Sequence, residues 1–149
     1  MRPPIPSRRR VLRGLACLPL LLRATPLRAH EYSARNFVLM HPWADPMAPG
    51  VTQARVFFTI ESVEEGDTLL GAHCDLAESA ELRASADDTA PPLASLPVPA
   101  GPLVDFSPGH PHVLLKGLRQ RFQFGRSYLL TLDFEKAGKL TVQVSVGAH

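Results

Sequence analysis

The side chains of this chain that can bind a soft or borderline metal are six histidines, two cysteines and three methionines. Two of the histidines, His110 and His112, sit in Ser107 to Leu118, S-P-G-H-P-H-V-L-L-K-G-L, where a Pro-Gly turn runs into an apolar stretch. Residues two apart in an extended chain share a face, so both imidazoles can address one ion unless Pro111 bends the path. The plain alternative is a polar turn whose histidines meet water. His73 and Cys74 are adjacent, so in a strand they point to opposite sides and reach one ion only if the chain bends there. His30 chelates through its amine and ring if processing makes it the N-terminus, and is otherwise a frayed end. Met40 and Met47 stand further out as thioether donors. No Ser-His-Asp arrangement, paired carboxylates on a recognisable scaffold or phosphate-binding glycine loop is present, so the chain does not read as an enzyme. Glu64-Glu65 and Asp87-Asp88 read as solvated turns.

The charge pattern separates a leader from the rest. Seven of the sixteen cationic residues lie before His30, and none of the fourteen acidic ones does. The remainder holds nine positive against fourteen negative charges, which gives no support for a basic patch that binds nucleic acid or anionic lipid. Ser7-Arg8-Arg9-Arg10-Val11-Leu12-Arg13 followed by the apolar run Leu15 to Leu22 has the form of an export signal. Its paired arginines resemble the twin-arginine type, and Arg23 and Arg28 near the expected cleavage point fit that route; an arginine-rich secretory signal is the alternative. Leu27-Arg28-Ala29 offers a cleavage site, giving a leader over residues 1–29 and a mature domain over 30–149, located in the periplasm. Most of the apolar run follows Cys17 instead of leading up to it, so Cys17 is not placed like a lipoprotein cysteine. Cleavage leaves Cys74 unpaired, and burial is the expected state of such a thiol. No stretch reaches the roughly 20 apolar residues of a membrane-spanning helix.

The elements that must position these residues read as strands. Arg55 to Ser62 alternates, with Val56, Phe58 and Ile60 on one face and Phe57 as the exception. Ser127 to Phe134 and Leu140 to Val146 alternate on either side of a turn at Ala137-Gly138. Asn36 to His41, stopped by Pro42, Thr68 to Cys74, Glu78 to Ser85, Leu93 to Val98 and Leu103 to Phe106 complete the set, with Trp43 expected to plug one end of the core. No mature segment keeps a helical period. Short strands at regular spacing, separated by turns, predict an all-β sandwich or small barrel of antiparallel strands.

Eight runs, in order, resemble the periplasmic copper chaperones called PCu(A)C: A-H-E-Y (Ala29 to Tyr32), H-P-W-A (His41 to Ala44), F-F-T-I-E-S (Phe57 to Ser62), D-T-L-L-G-A (Asp67 to Ala72), A-E-L (Ala80 to Leu82), V-P-A-G (Val98 to Gly101), P-G-H-P-H-V-L-L-K-G-L (Pro108 to Leu118) and L-D-F-E-K-A-G (Leu132 to Gly138). The resemblance implies a cupredoxin-like β-sandwich. It also implies passage of Cu(I) towards the copper centre of cytochrome oxidase, with a thioredoxin-like copper chaperone and an oxidase subunit as partners. The ligand set it implies is a histidine after A-E-L, a methionine further on, and a His-x-Met pair. Here those positions hold Arg83, no methionine between Ala84 and Leu96, His112, and Leu114. Two functions follow. One is a copper chaperone with a rearranged or weakened site drawn from His112, His110, His73, Cys74 and His30. The other is a β-sandwich that acts as a protein-interaction or assembly factor in the same pathway without holding metal.

Overall fold

Alternating side chains give ten strands in the computed structural model, which describes residues 31–147 other than Asp88. They are β1 (Glu31–Ser33), β2 (Val38–Ala44), β3 (Ala54–Val63), β4 (Asp67–His73), β5 (Ser79–Arg83), β6 (Leu96–Val98), β7 (Gly101–Phe106), β8 (His112–Lys116), β9 (Ser127–Phe134) and β10 (Gly138–Val146). The expected leader, its cleavage site and His30 lie outside the described residues. Among the described residues there is no helix, and hence none that could cross a membrane.

One sheet of order β5-β8-β3-β2-β10-β9-β4-β6 curls into a nearly closed barrel, with β1 added to β2 and β7 to β3. All pairings are antiparallel except β2 with β10. The predicted faces meet inside: Val56, Phe58, Ile60, Leu130, Leu132, Phe134, Val142 and Val144 are each at most 1 % exposed. Phe58 stacks on Phe106 with ring centroids 4.7 Å apart. Cys74 lies in this core, as expected of a lone thiol.

A buried carboxylate fastens the far end of the barrel. Asp67 accepts from the backbone N–H groups of Thr68 (2.7 Å), Lys136 (2.9 Å) and Ala137 (3.0 Å), and from the Asn36 amide (3.4 Å). Burial by itself pushes its carboxyl pKa up, but these donors outweigh burial and hold the pKa below the ordinary value. The D-T-L-L-G-A and L-D-F-E-K-A-G runs are therefore joined through one side chain.

Two departures from the expected strands matter for the site. Pro42 does not end β2, because the strand passes through a bulge there. His41 takes φ 48° and the β2–β3 register shifts between Met40 and Trp43, so the proline's missing N–H falls where no ladder bond is needed. β7 and β8, moreover, both pair with β3: Phe106 opposes Phe58 and Val113 opposes Val56. While β3 advances past Phe57 alone, its partner makes an excursion through Ser107 to His112. The Pro-Gly-His-Pro turn is thus an outward loop set into a ladder that continues on either side of it.

Candidate metal centre

The outward loop separates the two histidines that sequence spacing had paired. His110 stands near its crest, exposed, with Nδ1 3.2 Å from Ser107 Oγ and 3.7 Å from an oxygen of Asp105. Ser107 donates to Asp105 and, with a smaller push from His110, holds that carboxyl below its usual pKa against the opposing effect of burial. His112 stands at the foot of the loop and is 1 % exposed. Its Nδ1 lies 3.1 Å from the His110 carbonyl. A carbonyl only accepts, so Nδ1 carries a proton; in the neutral ring this leaves Nε2 as the nitrogen able to ligate a metal.

A row of side chains runs across the reverse of the core from His112. Arg83 opposes it on β5. On the other side the Phe57 ring lies 5.6 Å from the imidazole, and Trp43 lies 4.7 Å from Phe57. Phe57, the exception to the alternation of β3, is buried because this face is covered too. Trp43 belongs to the same aromatic wall instead of capping the core. In the next row Leu114 stands between Glu81 of β5 and Arg55 of β3. It forms the floor of an open cleft of about 280 Å³ lined also by Asp45, Met47, Gln53 and Arg55.

Three of the four positions expected from sequence therefore converge on one face, but they hold Arg83, His112 and Leu114. Arg83 is 4 % exposed, and its guanidinium donates to the Glu81 carboxylate and to the Ala90 carbonyl. Lys116 reaches the same carboxylate at 3.4 Å. Burial pushes the Glu81 pKa up, but the two cations outweigh it and hold the pKa below the ordinary value. Arg83 thus ties β5 to the segment after it, where Leu93 N–H also donates to the Leu82 carbonyl at 2.8 Å.

The other candidates stand elsewhere. His73 is exposed, with Nε2 2.8 Å from Asp75, and Cys74 points the opposite way into the core. They precede the corner into β5, whose first residue Ser79 opposes Lys116 while its last, Arg83, opposes His112. Five residues of strand, about 13 Å, therefore separate the His73 end from the His112 end. Met47 is buried, and its sulfur accepts from the Phe122 N–H at 3.3 Å. Among the described residues no three His, Cys, Asp or Glu side chains are grouped to hold a metal ion. The sequence did carry signals for the parts it left unread. The single break in the alternation of β3 marked Phe57, and the acid two residues before Arg83, E-L-R, marked Glu81.

The family model described as "Putative lipoprotein LpqE-like" matches residues 37–146. The chain belongs to the LpqE-like family and is of the PCuAC type. Among solved structures, the copper-bound PCuAC domain from PmoF2 is 26 % identical, with a TM-score of 0.71 over 80 % of this chain and 99 % of that one. The apo PCuAC domain from PmoF1 is 25 % identical, with a TM-score of 0.72 over 80 % of this chain and all of that one. The Cu(I) form of DR1885 from Deinococcus radiodurans, 21 % identical with a TM-score of 0.62 over 77 % of this chain and 80 % of that one, shares the fold. No curated protein matches the sequence. Membership of the PCuAC type agrees with the cupredoxin-like barrel.

Proposed function

We propose that this protein is an exported, periplasmic copper-handling factor that carries Cu(I) weakly, with His112 as its principal donor. What supports this most is the His112 imidazole itself. It is buried, anchored through Nδ1, and lies at a position where the family resemblance implies a copper ligand. His110, one loop residue away from it, is the nearest exposed imidazole in sequence and the candidate second donor. Two imidazoles and no thioether make a labile site, which suits transfer better than storage. The recipient in this reading is the copper centre of cytochrome oxidase, reached with a thioredoxin-like copper chaperone. No catalytic step is assigned. Anaerobic titration with Cu(I) against a chromophoric chelator tests it, with Trp43 emission as a second readout because one ring separates it from His112. One equivalent taken up by the parent and lost in His110→Ala/His112→Ala is expected. Equal uptake by parent and double variant would refute the assignment.

One observation favours the other reading. Arg83, ion-paired to Glu81 and facing His112, puts a fixed cation where a copper ligand is expected. In that reading the barrel is an assembly factor that holds no metal, and a periplasmic partner is retained equally with and without a copper chelator.

A further inference from the structure

The loop from Arg119 to Arg126, R-Q-R-F-Q-F-G-R, joins β8 to β9 and has no part in the copper reading. It carries three of the nine cationic residues found after residue 29 and no acid, whereas the rest of that domain has six cationic against fourteen acidic residues. None of the three arginines pairs with a carboxylate among the described residues. Arg119 is tied to the Asp75 carbonyl, while Arg121 and Arg126 are exposed on either side of the tip.

The tip is Phe124, 72 % exposed and the most exposed large apolar side chain among the described residues. It is held out on a fixed support. Arg126 N–H donates to the Gln123 carbonyl at 3.1 Å, and Gly125 sits third in that four-residue turn at φ 75°, as a type II turn requires. Gly125 N–H reaches Val146 at 2.8 Å, and Gln123 N–H reaches the Tyr128 hydroxyl at 3.2 Å. Phe122 is buried and stacked on Tyr128 at 4.2 Å, so the ring two residues before Phe124 anchors the turn. The neighbouring loop is bound to it through Met47 N–H and the Phe122 carbonyl, 3.0 Å, and adds exposed Pro46, Ala48 and Val51 to the same end. A shallow notch of about 330 Å³ between Pro46, Met47, Arg121 and Phe124 lies beside the ring.

We infer that this end of the barrel docks on an anionic phospholipid surface, with Phe124 entering between headgroups and Arg121 and Arg126 meeting their phosphates. A single ring on a tight convex turn fits a deformable surface. A protein partner of ordinary affinity needs a broad patch of roughly 800 Å² on each side, with its apolar residues at the centre. Arginine beside an aromatic ring is the composition that an anionic interface selects. The acidic remainder of the domain does not oppose this, because at physiological salt charges more than about 8 Å from the surface are screened. It restricts docking to this one end and so fixes the orientation of the barrel on the membrane.

Co-sedimentation with phosphatidylglycerol vesicles and with neutral phosphatidylcholine vesicles tests the inference, using the full chain and its variants so that the segment before residue 31 is common to all. Phe124→Ala is expected to lower partition onto the anionic vesicles about tenfold, and Arg121→Glu/Arg126→Glu to abolish it, each arginine contributing about fivefold. Lys139→Glu, a charge change elsewhere, is expected to leave partition within twofold. A Phe124→Trp variant is expected to show blue-shifted emission on the anionic vesicles alone. Equal partition onto both lipids, or losses no larger for the loop variants than for Lys139→Glu, would overturn it. So would failure of the parent to bind more than Phe124→Ala while Phe124→Ala slows copper transfer to an acceptor protein, since the turn would then face a protein.

Discussion

Arg83 faces His112 across an antiparallel pair, which sets their Cβ atoms about 5 Å apart. A Cu(I) ion on Nε2 of His112 about 5 Å from the guanidinium would be opposed by about 3 kcal/mol at an effective dielectric constant near 20. Glu81, bound to the same guanidinium, cancels part of that field. Taking half leaves about 1.6 kcal/mol, or about fifteenfold in dissociation constant. Arg83→Gln is therefore expected to tighten Cu(I) about tenfold without adding a strong ligand. Arg83→His with Leu114→Met places an imidazole opposite His112 and a thioether two residues further along the same face, so His112 gains two further donors on its own face. That variant is expected to bind at least another tenfold tighter than Arg83→Gln. Competition against a chelator of known Cu(I) affinity, under anaerobic conditions, reads both steps, and a thermal melt shows whether each variant is folded. A folded Arg83→His/Leu114→Met protein that binds copper within about threefold of the parent would show that this face is not where the metal goes.

Two further expectations concern the barrel. Asp67→Asn replaces an acceptor of four hydrogen bonds and should destabilise the fold by about 3 kcal/mol in urea melts at pH 7. The Asp67 carboxyl is depressed in the folded state, so its contribution is complete above the unfolded carboxylate value of about 4 and disappears as pH falls through the lower folded value. The parent should therefore lose stability across that acid window more steeply than Asp67→Asn, and equal slopes would exclude the role given to this residue. Cys74 lies 3 % exposed in the core on the far side of the strand from His73. Its thiol should react with an aromatic disulfide reagent only after unfolding, and Cys74→Ala should leave Cu(I) affinity within about twofold, a shift that the competition assay resolves easily.

The barrel was legible wherever one face alone was buried. β9 and β10 alternate cleanly, β3 does so apart from Phe57, and their alternating apolar residues do meet in the core. Reading failed where both faces are covered or where the ladder is interrupted. Phe57 breaks the alternation of β3 because the aromatic wall buries its side of the sheet as well. Pro42 looked like a strand end, since nothing local announces that a bulge at His41 will absorb the missing N–H. His110 and His112 looked like a pair because two-residue spacing in an extended chain puts side chains together, but the chain between them is not extended. It leaves the β3 ladder after Phe106 and returns at His112, sending one ring outward and the other in. The ligand positions are implied by the resemblance alone and by no local pattern. That Arg83 and His112 oppose each other follows from a β5–β8 register which no local pattern reveals.

The arrangement explains how a barrel of this type can keep its fold while the face around His112 changes. Leu82, Val113 and Val56 point into the core from β5, β8 and β3, and their chain neighbours Arg83, His112 and Phe57 lie on the reverse side. Substitution on the reverse side costs no core volume, so a histidine-to-arginine or methionine-to-leucine difference there leaves the packing that defines the barrel intact. The difference still needs compensation, because a buried guanidinium without acceptors would cost several kcal/mol. Glu81 and the Ala90 carbonyl supply it, one from the same strand and one from the segment that follows. A metal ligated from β5, from that segment and from β8 would fasten the same three pieces of chain. In this protein Arg83 fastens two of them with a side chain. The segment after β5 should therefore keep its place without copper, and amide exchange around Ala90 and Leu93 should slow little on adding Cu(I) to the parent but quicken markedly in Arg83→Gln.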